Sequence, residues 1–196
     1  SSMQVDDPER GFSYARDGAL DMRMDRTRGR TAAQVLASIG QDDLAGLLRD
    51  NDEPNAEAIA AAITEERQKA PIASTRQLAQ IIQAATLQQK WQLHPAPGKW
   101  NLHPAARTFQ ALRIHVNREL ASLEHLLRII PDCVTGQGKA AVITFHSGED
   151  RQVKSSFRAG LESGVYSNIA LDPIRASLDE RERNPRSRSA KLRWAR

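Results

Sequence analysis

The chain has 196 residues, 40% hydrophobic and 27% charged, with a formal net charge of +4. That composition fits one or two globular domains, and no run of about 18 apolar residues is present to cross a bilayer. The single cysteine, Cys133, excludes an intramolecular disulfide and lies in no metal-ligand spacing. His94, His103, His115, His125 and His146 stand at no zinc-site spacing either, so no metal is expected. The first residues, Ser1 to Pro8, have neither a basic nor an apolar stretch, so a cytoplasmic location is expected, and the absence of an initial Met points to a natural start upstream.

Residues 1–30 are rich in Asp, Arg and Gly and show little periodicity, as a loop region does. Gly11-Phe12-Ser13-Tyr14 and Asp21-Met22-Arg23-Met24-Asp25 mix polar and large side chains, a pattern more frequent around sites than in cores. From Thr31 to about Ala85 the pattern is helical. Thr31 caps a first helix through Ile39, Gln41-Asp42-Asp43 opens a second, Asn55 a third and Ser74-Thr75 a fourth. This helical module carries no strand signal. Residues 86–104 read as a linker, containing His94-Pro95-Ala96-Pro97-Gly98.

A long helix is expected from about Ala106 to Ile130, striped by Phe109, Leu112, Val116, Leu120, Leu123, Leu127 and Ile130. Lys139 to Phe145 reads as a parallel strand buried on both faces. His146-Ser147-Gly148-Glu149-Asp150 then leads into a helix through about Leu161, its acidic residues suited to the first turn. Extended pieces follow at 172–175 and 187–195. Between Arg175 and Arg196 lie seven Arg and Lys191 against three acidic residues, so the basic excess of the chain sits at this end. A polyanion contact and a solvated tail both fit.

Several of these segments together resemble the MraW/RsmH family. They are Ser1-Ser2-Met3-Gln4-Val5-Asp6, Asp7-Pro8-Glu9-Arg10-Gly11-Phe12-Ser13, Asp21-Met22-Arg23-Met24-Asp25, His103-Pro104-Ala105-Ala106-Arg107-Thr108-Phe109, Phe145-His146-Ser147-Gly148-Glu149-Asp150-Arg151 and Asn184-Pro185-Arg186-Ser187-Arg188 with Lys191-Leu192-Arg193. Singly each string is weak; six in the family's order across the chain are specific. Three departures are Met3, where the family usually has Pro, Gly148, where it usually has Leu, and Asn51-Asp52-Glu53-Pro54, where it usually reads more like Tyr-Gly-Glu-Glu.

The resemblance implies an α/β class I S-adenosylmethionine methyltransferase (Rossmann-like) fold with an inserted all-helical domain. On that reading, residues 1–30 belong to the methyltransferase domain, 31–103 to the inserted substrate-recognition domain and linker, and 104–196 to the methyltransferase domain again. The implied reaction is methylation of a cytosine N4 amine in small-subunit (16S) ribosomal RNA, with S-adenosylmethionine as cofactor. The implied partner is that RNA or the small ribosomal subunit; neither DNA nor a membrane is implied, and a homodimer is left open. The Gly-rich cofactor loop lies upstream of Ser1 in the family, so this chain alone is expected to be inactive.

By resemblance, Gln4 touches the cofactor. An exocyclic amine must be oriented for attack and must lose a proton, which oxygen or nitrogen acceptors assist, and Ser2, His146 and Glu149 are the candidate catalytic residues. Glu149 and Asp150 as helix caps, with His146 only bracing the loop, is the structural alternative. Arg107, Asn184, Arg186, Arg188, Lys191 and Arg193 are candidate RNA contacts, since Arg and Lys neutralise phosphates, while a basic edge strand is the alternative there. Trp91, Trp100 and Trp194 fit packing better than base stacking. A second class of function is a non-catalytic RNA-binding or ribosome-associated module, or one half of a split enzyme; weak S-adenosylmethionine binding would mark it.

Overall fold

The computed structural model describes residues 7–87 and 103–196. They form two compact units that divide between Arg118 and Glu119.

The first unit is helical: α1 (Ala32–Ser38), α2 (Gln41–Asp50), α3 (Ala56–Lys69), α4 (Thr75–Thr86) and α5 (Ala105–Asn117). Local chemistry starts these helices where the sequence indicates. Thr31 and Gln34 form a reciprocal capping box on α1, and the Ser74 hydroxyl accepts the Gln77 N–H on α4. Such caps contribute about 1 kcal/mol each. Asn55 precedes α3 but makes no side-chain cap. Leu36, Leu44, Leu48, Ile59, Ile63, Leu78, Ile82 and Leu112 are fully buried. Phe12, Leu20 and Met22 from the preceding loop join the same core. Gly11 makes the loop's tight approach, since its φ is +68° and a Cβ there would collide with the Ala19 carbonyl.

The second unit holds α6 (Glu119–Cys133), β1 (Ala140–Thr144), α7 (Ser147–Glu162), β2 (Ile174–Arg175), α8 (Leu178–Arg183) and β3 (Lys191–Ala195). The sheet is antiparallel in the order β1-β3-β2. Ala140 pairs with Ala195 and Thr144 with Lys191; Ile174 and Arg175 pair with Leu192 and Lys191. Val153, Phe157, Leu127 and Ile130 from α7 and α6 gather with Ala195, Ala140 and Val142 on one sheet face.

Two expectations change here. The long helix is two helices, because Arg118 takes the left-handed conformation (φ +52°) and ends α5. The apolar stripe runs through the break: Phe109 and Leu112 enter the first core, Leu127 and Ile130 the second. The strand at 140–144 is not a parallel strand buried on both faces. It pairs antiparallel with β3, and its residues alternate, since successive side chains point to opposite faces. The helices of this unit cover only the face carrying Val142, so Ile143 is 57% exposed, as is Ile174 two strands away on the same row.

Candidate functional site

The turn from β1 into α7 holds two of the expected catalytic residues. His146 is the N-cap of α7, in extended backbone conformation, and Glu149 is the third helical residue. Each serves the other. His146 Nδ1 accepts the Glu149 N–H at 3.3 Å, and Glu149 Oε2 accepts the N–H of Phe145 at 2.9 Å and of His146 at 3.4 Å. Because the donor at Nδ1 is a backbone amide, Nδ1 supplies the lone pair and the neutral imidazole carries its proton on Nε2. That Nε2 is buried, lies 3.4 Å from Glu149 Oε1, and has no aligned hydrogen bond. Burial favours the neutral form of Glu149, but the His146 ring and the backbone N–H groups outweigh it and hold the carboxyl below its ordinary range.

A third residue joins them that sequence reasoning missed. Glu119, the first residue of α6, offers a carboxylate oxygen to the same cluster, in which the ligand atoms of Glu119, His146 and Glu149 all lie within 4.8 Å of one another. Its signal was hidden. An acidic residue at a helix start is legible only once the Arg118 break is known, and the unbroken apolar stripe conceals that break.

Asp150, the next residue along α7, anchors the C-terminal strand. Lys191 Nζ lies 3.1 Å from its Oδ2, and Arg193 Nε donates to its Oδ1 at 2.7 Å. Arg193 also donates to the carbonyl of Leu171 at 3.0 Å. Desolvation favours the neutral Asp150 carboxyl, but the Arg193 and Lys191 cations more than reverse this and hold it below the usual carboxylate range. Arg193 is 3% exposed, so its guanidinium braces strand to helix rather than facing RNA phosphates; Lys191 shares that carboxylate. By contrast Asn184, Arg186 and Arg188 stand exposed around the turn Pro185–Ser189.

In the first unit, Asn117 is a clamp. Its Nδ2 donates to the Met22 carbonyl at 2.7 Å, and its Oδ1 accepts the Met24 N–H at 2.7 Å. Met22 is held in left-handed conformation (φ +62°) with its side chain fully buried. Arg10 adds a bond to the Met24 carbonyl at 3.1 Å, and the Arg23 guanidinium pairs with Asp21 at 2.7 Å. Arg107 is half-buried and acts electrostatically on buried Glu53.

The family model described as the MraW methylase family matches residues 1–196. The chain belongs to the MraW methylase family. Among its relatives, "Ribosomal RNA small subunit methyltransferase H 1" of Lachnoclostridium phytofermentans is 43% identical over 196 residues, covering 100% of this chain and 53% of that protein. The protein of the same name from Agathobacter rectalis is 43% identical over 196 residues, covering 100% of this chain and 56% of its own length. "Ribosomal RNA small subunit methyltransferase H 2" of Alkaliphilus metalliredigens is 46% identical, again with 100% of this chain and 56% of its own length covered. The chain therefore spans somewhat more than half the length of these relatives.

For a MraW-family chain the site residues divide clearly. His146 and Glu149 are brought together, with Glu119 beside them. Ser2 and Gln4 lie outside the described residues, as do Trp91 and Trp100. The resemblance assigns none of the described residues to the cofactor. Trp194 is a strand residue of β3, opposite Ala141. Gly148 stands in the first turn of α7 rather than in a loop, where a side chain would bring its Cβ within 3.2 Å of the His146 ring. No helix among the described residues is long and apolar enough to cross a membrane.

Proposed function

We propose that this chain forms the acceptor side and helical module of an S-adenosylmethionine-dependent enzyme that methylates a cytosine N4 amine of small-subunit (16S) ribosomal RNA in the cytoplasm. The observation that carries this reading is the match of the MraW methylase family over residues 1–196, joined by relatives whose printed names say that they methylate small-subunit ribosomal RNA. S-adenosylmethionine supplies the electrophilic methyl group. This chain's residues orient the amine and receive its proton.

The fold proposed for the whole protein is a Rossmann-like sheet interrupted by the helical module at 31–103, with methyltransferase segments at 1–30 and 104–196. Two features support it. Among the described residues, the edge of β1 away from β3 pairs with no strand, and the sheet face carrying Ile143 and Ile174 is left uncovered by the helices of its own unit. A larger sheet uses both.

The proposed RNA contacts are Arg186, Arg188 and Asn184, exposed at the C-terminal turn, with Arg107 and Lys191 as secondary candidates. Arg suits phosphate because its planar fork binds two oxygens at once.

His146 tests the reading most directly, because its capping role and a chemical role separate by substitution. Asn is among the strongest N-caps and retains the acceptor that His146 Nδ1 supplies, whereas Ala does not. In the complete protein, with N4-methylcytidine read by mass spectrometry of RNA digests, His146→Asn is expected to keep the thermal stability and lose at least tenfold in turnover. Full turnover in that variant assigns His146 to capping alone. A complete wild-type protein that leaves cytidine unmethylated while binding RNA would favour the RNA-binding module instead.

A further inference from the structure

The segment Gly11-Phe12-Ser13-Tyr14 divides in the fold: Phe12 is buried in the first core, while Tyr14 is half-buried and packs against it. From the surroundings of Tyr14 we infer that Tyr14 and His103 form a base-stacking platform on the first unit, which takes an unpaired nucleotide of RNA with Arg16 on an adjoining phosphate. This inference rests on the ribosomal RNA reading above and deepens it, adding a contact to that substrate in the helical unit.

The platform joins two segments distant in sequence. The Tyr14 and His103 rings are stacked, with centroids 4.4 Å apart and planes inclined by 11°. Phe109 meets Tyr14 edge-on at 5.8 Å and 82°, and is itself 3% exposed, so the stack stands on a core residue. His103, at the other end, is exposed. Its ring is oriented by the start of α5, where Nδ1 accepts the Ala105 N–H at 3.2 Å. That edge is turned to the helix and one face lies on Tyr14, which leaves the opposite face for a ligand. Among the described residues no other ring lies on it. Packing explains Phe109 and Tyr14. It does not explain an exposed imidazole laid flat on Tyr14, because a polar ring left in water gains little from burial. An unpaired base stacks on such a ring through its π-face, whatever its identity.

Arg16 is the second observation. The other arginines of residues 8–30 are engaged: Arg10 with the Met24 carbonyl, Arg23 with Asp21, Arg26 with the Glu9 carbonyl, Arg28 with Asp25 and Arg30 with the Gln34 carbonyl. Arg16 is exposed, and its side chain makes no hydrogen bond or ion pair among the described residues. Its neighbour Asp17 is taken by Arg76 at 3.6 Å and by the N–H groups of Gly18 and Arg76. The main chain beneath Arg16 is nevertheless fixed, since the Thr75 hydroxyl donates to its carbonyl at 2.7 Å. An uncommitted guanidinium on an anchored main chain, two residues from a stacking ring, suits the phosphate of a nucleotide whose base lies on His103. Rings and backbone are in place before RNA arrives, which keeps the ordering cost of binding small.

The test uses a single-stranded oligoribonucleotide carrying 2-aminopurine, whose fluorescence falls when that base stacks on a ring. The wild-type 196-residue chain is expected to quench it. His103→Asn keeps an acceptor for the Ala105 N–H and removes the ring. It is expected to keep the thermal midpoint, to weaken binding by about five- to a hundredfold and to abolish the quenching. His103→Phe, which keeps a ring, is expected to quench. Arg16→Gln is expected to retain quenching at saturation and to lower the slope of log affinity against log salt by about 0.7. No quenching by the wild-type chain, or wild-type affinity and quenching in His103→Asn, overturns the platform. A lower thermal midpoint with unchanged binding does so too, and assigns the ring to packing. An unchanged salt slope in Arg16→Gln overturns the phosphate contact. Methylation assays on the complete protein separate this inference from the function it rests on. Wild-type methylation with kcat and RNA KM unchanged in His103→Asn overturns the platform alone, whereas quenching by a wild-type protein that methylates no cytidine keeps the platform and overturns the function.

Discussion

Arg193 is 3% exposed and its guanidinium is met by the Asp150 carboxylate and by the Ala170 and Leu171 carbonyls, so Asp150→Ala leaves a buried cation without its counter-charge. Breaking a buried pair from one side costs about 3–5 kcal/mol, and urea unfolding of Asp150→Ala is expected to show a loss of that size. The pair also sets an acid limit. The Asp150 carboxyl is held below its ordinary value, so its contribution is present above about pH 4 and is lost as pH falls through the lower folded value. Glu53 has the opposite sign. It is 5% exposed, and burial pushes its carboxyl above the usual carboxylate range despite the Asn55 N–H. The folded state therefore binds that proton more tightly, so the contribution is complete below about pH 4.3 and fades as pH rises through the folded value. Glu53→Gln, isosteric and uncharged, is expected to raise the thermal midpoint at pH 7 and to leave it little changed at pH 4. Both trends are read by thermal scans across pH.

Helix ends follow chemistry within one turn of the chain: on α7 His146 with Glu149 makes the cap in place of the expected Glu149 and Asp150, and the caps at Thr31 and Ser74 stand where the residue types point. The break between α5 and α6 does not. Nothing in Asn117-Arg118-Glu119 is a glycine or proline, and the heptad-like stripe continues across it. Two bonds made by the Asn117 side chain, to the Met22 carbonyl and from the Met24 N–H, hold the end of α5 to a loop more than ninety residues earlier, and a third returns to the Arg113 carbonyl within the helix. Asn117→Ala leaves the Met22 carbonyl and Met24 N–H without their partner. A loss of about 1–3 kcal/mol is expected on the scale of an unsatisfied buried polar group, seen as a lower urea midpoint and faster amide exchange in residues 21–25. The strand at 140–144 misleads for a related reason. A continuous run of Ala-Ala-Val-Ile resembles a strand covered on both sides, and only the placement of α6 and α7 shows which side its own unit covers.

Across the molecule, basic charge is sorted between interior and surface. Arg193 and Lys191 are drawn to Asp150, while Arg186 and Arg188 stand exposed. If those two contact phosphates, each releases counterions on binding. The double variant Arg186→Ala/Arg188→Ala is then expected to weaken RNA binding and to flatten the salt dependence by about 0.7 per lost phosphate contact on a single strand. An unchanged slope in filter-binding titrations across salt would assign both to solvation.

What could be read without coordinates was what depends on near neighbours: the four helices after Thr31, the capping role open to Glu149, the basic C-terminal end, and the family resemblance carried by short strings. What could not was every choice made between distant residues. Asp150 and Arg193 are 43 residues apart, and no periodicity says which arginine of a basic run turns inward. Glu119 reaches His146 only because a left-handed residue starts a new helix and that helix lies against the one His146 caps. Short-range chemistry is written in adjacent residue types, whereas burial, which decides whether a charge is a brace or a contact, depends on the packing of the whole unit.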